Sequence, residues 1–165
     1  MTVNAADVAA YILGKKGQMT AMKLQKLVYY GQAWSLVWDD EPLFAEPIQA
    51  WANGPVVYPL FRVHKGKYKV TPQDFVHGNP AKLSEDQVQT LEAVLDSYGN
   101  MSAAQLSELT HAEDPWKIAR GQTAPGEQST AFITHESMKV YYTHLSESDE
   151  AVHHVEDINF PAWAR

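Results

Sequence analysis

The segment from Thr20 to Trp38 contains the densest run of large apolar side chains in the sequence. Thr20 can cap the N-terminus of a helix, and the apolar residues that follow it recur at helical spacing. One face of this helix is formed by Leu24, Leu27, Val28, Gly31, Trp34 and Trp38, and it is widened by Tyr30, Ala33 and Val37. Because so broad an apolar face must pack against several other elements, we expect this helix to lie at the centre of the fold.

Capping signals predict further helices around this central one. A residue that favours the helix N-cap precedes an apolar stripe at Asn4, Ser84, Ser102 and Thr134. Pro59 suits the first turn of a helix over residues 58–65. The predicted architecture is therefore mainly helical.

Residues 48–51 carry a weak strand signal, because Ile48 and Ala50 alternate with Gln49 and Trp51. The segment is bounded by proline on one side and by a Gly-Pro break on the other. We expect a small β-ribbon formed by this segment and another extended piece in the C-terminal half. The fold class is then mainly α, one compact helical domain with a minor β element.

The length of 165 residues is close to that of one ordinary domain. We expect one domain over residues 1–146 and an acidic, aromatic tail over residues 147–165. The chain has no cysteine, which excludes disulfides, thiolate catalysis and cysteine-based zinc sites. No export signal or membrane anchor is apparent near the N-terminus, so the expected compartment is the cytoplasm.

The formal net charge of −7 argues against a general affinity for nucleic acid, because clustered Lys and Arg drive such binding through counterion release. An acidic protein suits a basic protein partner better. The one basic cluster consists of Arg62, Lys65, Lys67 and Lys69. We interpret it as a solvated helix end, and a nucleic-acid-binding regulator stays open as an alternative.

Several short motifs occur in a distinctive order along the chain. Residues 23–32 read KLQKLVYYGQ, residues 42–44 read PLF, residues 47–51 read PIQAW and residues 54–56 read GPV. Residues 109–116 then read LTHAEDPW. Over about residues 5–120, this order resembles the Panacea domain family, the SocA-like antitoxins of bacterial and phage toxin–antitoxin pairs, including phage-associated GepA-like proteins. The family's alanine is Gly31 in this chain, which weakens the helix locally by about 1 kcal/mol.

The resemblance implies an antitoxin that neutralises the toxin of a neighbouring gene by direct contact and without catalysis. A second mechanism within the family is an adaptor that delivers the toxin to a protease or its unfoldase. The cognate toxin is the expected partner in both cases, and neither a cofactor nor a membrane is implied.

The sequence contains no strong catalytic or metal-binding motif. The most chemically suggestive cluster is His111, Glu113 and Asp114, which keeps an uncharacterised hydrolase open as an alternative. The structural interpretation is simpler, with His111 at a helix C-terminus and Asp114 capping the next helix. We therefore predict no catalytic, cofactor-binding or metal-binding residues.

The candidate partner-binding residues lie in two places. Lys26, Tyr29 and Gln32 fall opposite the apolar face of the central helix, where we expect them to be exposed. Phe160 and Trp163 end the acidic tail, and such a segment is often an arm that orders on a partner. Four tryptophans are expected in the core, namely Trp34, Trp38, Trp51 and Trp116.

Overall fold

A computed structural model describes residues 2–148 of the chain. Its helices are α1 (Ala5–Lys16), α2 (Ala21–Trp38), α3 (Tyr58–His64), α4 (Glu85–Tyr98), α5 (Ala103–Ala112), α6 (Asp114–Arg120) and α7 (His135–Ser146). Its strands are β1 (Met19–Thr20), β2 (Ile48–Trp51), β3 (Gly54–Val57), β4 (Lys69–Val70) and β5 (Phe132–Ile133). Two short 3-10 helices, Pro72–Phe75 and Pro80–Lys82, lie between β4 and α4. The predicted fold class, mainly α with a minor β element, is confirmed.

Helix α2 lies at the centre of the fold. It packs against α1, α4, α5, α7 and β3, and every residue from Leu24 to Leu36 is buried. The expectation that Lys26, Tyr29 and Gln32 would be exposed is therefore wrong. The reason is that β3, α5 and α7 cover the side of α2 that the apolar pattern had left for solvent.

The predicted caps are present in the structure. The side chains of Asn4, Ser84 and Ser102 each accept a hydrogen bond from a backbone N–H within the first turn, in complete capping boxes. Thr20 caps α2 and Thr134 caps α7 in the same way, without the reciprocal bond. These contacts satisfy N–H groups that have no partner within the helix.

Two small antiparallel sheets accompany the helices. In one of them β1 pairs with β4, and in the other the strand order is β3-β2-β5. Ile48 of β2 lies opposite Val57 of β3 and Ile133 of β5, which confirms the predicted strand and its partner in the C-terminal half. β3 itself was not predicted, because its Gly54-Pro55 start was interpreted as a break.

The tryptophans differ in burial. Trp34 is fully buried, and its indole N–H donates a hydrogen bond to the Tyr98 hydroxyl at 3.1 Å. Trp38 stacks on Trp34 at 4.7 Å between ring centroids, but 40% of it is exposed. Its expected place in the core is thus wrong, because α2 ends at this residue and the ring packs on Trp34 at the edge of the core.

Residues 149–165 lie outside the described part of the chain, and with them Phe160 and Trp163. None of the helices within residues 2–148 combines the length and apolar character that crossing a bilayer requires.

Candidate functional site

Two buried glutamines of α2 bind backbone groups of neighbouring segments. Gln25 accepts a hydrogen bond from the Val57 N–H at 2.8 Å and donates one to the Val57 carbonyl at 3.2 Å. Gln32 accepts from the Leu43 N–H at 2.6 Å and donates to the Phe44 carbonyl at 2.8 Å. Each amide thereby satisfies both a donor and an acceptor that burial would otherwise leave unpaired. The two glutamines fasten β3 and the segment before β2 to the central helix.

A buried carboxylate lies at the junction of α2, α6 and α7. Glu113 accepts hydrogen bonds from the hydroxyls of Tyr30 and Tyr142, both at 2.7 Å. Burial raises the pKa of Glu113 to about 7, while the two tyrosine bonds favour the ionised form. The Tyr142 hydroxyl has one proton and donates it to Glu113. In the bond between the Tyr29 and Tyr142 hydroxyls, at 3.1 Å, Tyr29 is therefore the donor. Tyr29 thus belongs to an internal hydrogen-bond network.

A second polar cluster, the turn site, consists of Lys26, Thr110 and His111 around the β2–β3 turn at residues 52–53 and the first residue of β3, Gly54. Within residues 2–148, the Lys26 ammonium and His111 Nε2 are buried without a hydrogen-bond partner. Burial lowers the pKa of Lys26 to about 8. Burial and, next, the charge of Lys26 lower the pKa of His111.

Gly54 allows the close approach of the lysine to the turn. Its φ of +126° lies in a region that side chains rarely adopt, and a Cβ there would lie 2.7 Å from Lys26 Cε. Any larger residue at this position would displace the lysine stem or the turn. Sequence reasoning treated Gly54 only as the start of a break and missed this contact.

Helix α6 is hydrogen-bonded to the β2–β3 hairpin, and α5 packs beside both of them. The Trp116 indole N–H donates to the Trp51 carbonyl at 2.9 Å, and Arg120 donates to the Ala50 carbonyl at 3.0 Å. The His111 ring stacks on Trp116 with 4.0 Å between centroids. The motif over residues 109–116 is thus brought against the motif over residues 47–51, far from it in sequence.

The three residues considered for catalysis make separate contacts. Glu113 bonds to tyrosines, His111 stacks on Trp116, and Asp114 is 57% exposed beside Lys117. The prediction that Asp114 caps α6 is wrong, because Glu113 occupies the N-cap position and Asp114 is the first helical residue. No group of three potential metal-ligating His, Cys, Asp or Glu side chains occurs within the described residues.

The basic cluster is dispersed over the end of α3 and the segment that leads to β4. Arg62 lies in the last turn of α3, where a positive charge favours the helix dipole. Lys67 forms an ion pair with Asp74. These contacts agree with the interpretation of the cluster as a solvated helix end.

An open groove of about 560 Å³ lies between α6 and α7. Its apolar lining includes Ile118, Val140, Tyr141 and Leu145, and Asp114 and Glu136 supply carboxylates. Ile118 and Val140 are 65% and 53% exposed. The sequence placed Ile118 in a short helix, but could not show that α7 would lie beside it.

Comparison with known proteins finds a matching family and a similar curated protein, but no similar solved structure. The family model for the SocA-like antitoxin Panacea domain matches residues 24–117. The curated protein Antitoxin SocA of Caulobacter vibrioides (strain NA1000 / CB15N) is 32% identical over 132 residues, covering 71% of this chain and 70% of the relative. No solved structure shows a significant match. All residues of the turn site fall inside the matched range, whereas α7 lies beyond it.

Proposed function

The chain belongs to the Panacea domain family of SocA-like antitoxins, and from this premise we propose that it neutralises a toxin by direct protein–protein binding. The observation that carries the proposal is the family match over residues 24–117. The partner is the toxin encoded by a neighbouring gene, and the two proteins meet in the cytoplasm. The likeness to Antitoxin SocA supports the same assignment.

The structural use of the family motifs supports a binding role. Gln25, Gln32 and Glu113 are buried and hold backbone segments and helices together. Motif residues of this kind build a scaffold, so contacts with a toxin fall to side chains on its surface. Such an arrangement allows surface residues to vary among antitoxins that bind different toxins, while the buried residues stay the same.

The test begins with the reading frame next to this gene. Its product, expressed alone from an inducible promoter, should stop growth, and co-expression of the full chain should restore it. The two purified proteins should then form one complex in size-exclusion chromatography. A toxic neighbour that this chain neither rescues nor binds would overturn the proposal.

The adaptor mechanism is separated by repeating the rescue in cells that lack the candidate protease or its unfoldase. Direct neutralisation predicts full rescue and an unchanged toxin level in these cells. An adaptor predicts that rescue disappears and that the toxin accumulates.

A further inference from the structure

The groove between α6 and α7 is an unusual feature of the surface of this protein. Aliphatic side chains are normally exposed singly, whereas Ile118 and Val140 line one concave surface together with half-buried Tyr141 and Leu145. The volume of about 560 Å³ lies in the range of about 300–1,000 Å³ that binding pockets occupy. An apolar segment seated there would remove these side chains from water.

The charges around the groove are negative. Asp114 and Glu136 line it, and no lysine or arginine does so among the described residues. The ion pair between Asp114 and Lys117 spans 3.8 Å with both side chains more than half exposed, so it neutralises Asp114 weakly. The groove thus favours a segment that has apolar side chains and a basic flank.

Charge also discriminates among the possible occupants. Ser148 lines the groove and the chain continues from there with Ile158, Phe160 and Trp163, but also with Asp149, Glu150, Glu156 and Asp157. These carboxylates have the same sign as those of the groove. A second copy of the chain, with its net charge of −7, meets the same repulsion. A basic partner meets none of it.

We propose that the α6–α7 groove is the docking site of the toxin, and that it accepts an apolar segment flanked by lysine or arginine. The inference rests on the proposed antitoxin function and adds the surface and the chemistry of the partner. Because α7 lies beyond the range matched by the family model, this surface can set partner choice independently of the shared scaffold.

The test uses Val140→Lys in the full chain, with Val76→Lys as the matched control. Both valines are exposed, by 53% and 74%, and Val76 lies outside the groove. Val140→Lys should weaken binding of the toxin from the neighbouring reading frame by about tenfold or more, as loss of an interface anchor does. Val76→Lys should leave the affinity unchanged.

A charge reversal gives a second, independent measurement. Glu136 and Glu85 are both acidic residues in the first turn of a helix, so reversal to lysine disturbs the helix dipole equally. Glu136→Lys should slow toxin association and reduce its salt dependence, whereas Glu85→Lys should do neither. Equal effects of the groove variants and their controls would overturn the docking site.

The remaining outcomes also decide between occupants. If Val140→Lys lowers the melting temperature of the full chain but not that of a chain ending at Ser148, its own C-terminal segment fills the groove; if it converts a dimer into a monomer, a second copy does. Either result overturns the toxin as occupant. Unaltered toxin binding by Val140→Lys would refute the groove and leave the antitoxin function standing, whereas failure of the wild-type chain to bind would overturn both.

Discussion

Lys26 illustrates the cost of a single buried charge. Its ammonium has no hydrogen-bond partner within the described residues, and its pKa of about 8 lies below the ordinary value of 10.5. The folded chain therefore binds fewer protons than the unfolded chain between these two values. The lysine destabilises the fold at pH 7, and this cost disappears as the pH rises from about 8 to above 10.5.

We predict that Lys26→Met stabilises the protein at pH 7, by up to about 3 kcal/mol from the pKa difference. Methionine preserves much of the length of the stem without the charge. Urea unfolding at pH 7 and pH 10 measures the effect, and the gain should shrink at the higher pH. A variant less stable than wild type at pH 7 would show that the ammonium contributes favourable contacts that outweigh its desolvation.

The pKa of Glu113 is shifted in the direction opposite to that of Lys26, upward instead of downward. Its pKa of about 7 in the folded protein exceeds the ordinary value of 4.5, mainly through burial. Between these two pH values the folded state therefore holds a proton that the unfolded state has released. The contribution of this group to stability is present in full below about 4.5 and is lost as the pH rises through about 7.

We predict that Glu113→Gln flattens the pH dependence of stability between pH 4.5 and 7 relative to wild type. The amide oxygen can still accept the bonds from Tyr30 and Tyr142, so the fold is kept. Thermal melts of the two proteins at matched pH values give the difference, which cancels the titration of other carboxylates. Parallel stability profiles would contradict the assignment.

At the scale of elements, α2 is buried from Leu24 to Leu36 because it carries both an apolar face and polar residues that bond to neighbouring backbone. Its two tryptophans show how burial changes within one helical turn. Trp34 is enclosed and hydrogen-bonded to Tyr98, whereas Trp38 covers it at the helix end with one side in water.

We predict that Trp34→Ala costs about 3–5 kcal/mol of unfolding free energy, since it leaves a large cavity in the core. Trp38→Ala should cost clearly less, because water can occupy the vacated space. Chemical denaturation of both variants under the same conditions measures the difference. Equal losses would show that the exposed face of Trp38 is packed in solution.

At the scale of the whole molecule, the sequence continues after Ser148 with an acidic extension, residues 149–165. We propose its aromatic residues Phe160 and Trp163 as contacts for a toxin, in addition to the proposed docking site in the α6–α7 groove. The shared negative sign of the groove and the extension would attract a basic partner to both.

We predict that removal of residues 149–165 leaves the melting temperature nearly unchanged and weakens toxin binding, more strongly at low salt where charge attraction is least screened. Calorimetry and binding measurements at two salt concentrations on the full and shortened chains test this. A large drop in melting temperature would instead show that Phe160 and Trp163 seal the domain.

The sequence by itself determined the central helix, the helix starts and the family. Caps such as those at Thr20 and Ser84 depend on atoms within one helical turn, so local sequence suffices to identify them. The strand at Ile48–Trp51 was also predictable, because its alternation and its boundaries are local.

Only the tertiary structure decided which polar residues are buried, and with them the turn site and the groove. Tyr30 and Glu113 bond to each other although they are 83 residues apart in the sequence, and Gln25 bonds to Val57 across 32 residues. A local pattern assigns Lys26, Tyr29 and Gln32 to solvent, because it depends on the polarity of the side chains. It carries no information about which elements pack against that side of the helix. Whether a polar side chain is exposed or buried depends on partners that only the completed fold supplies.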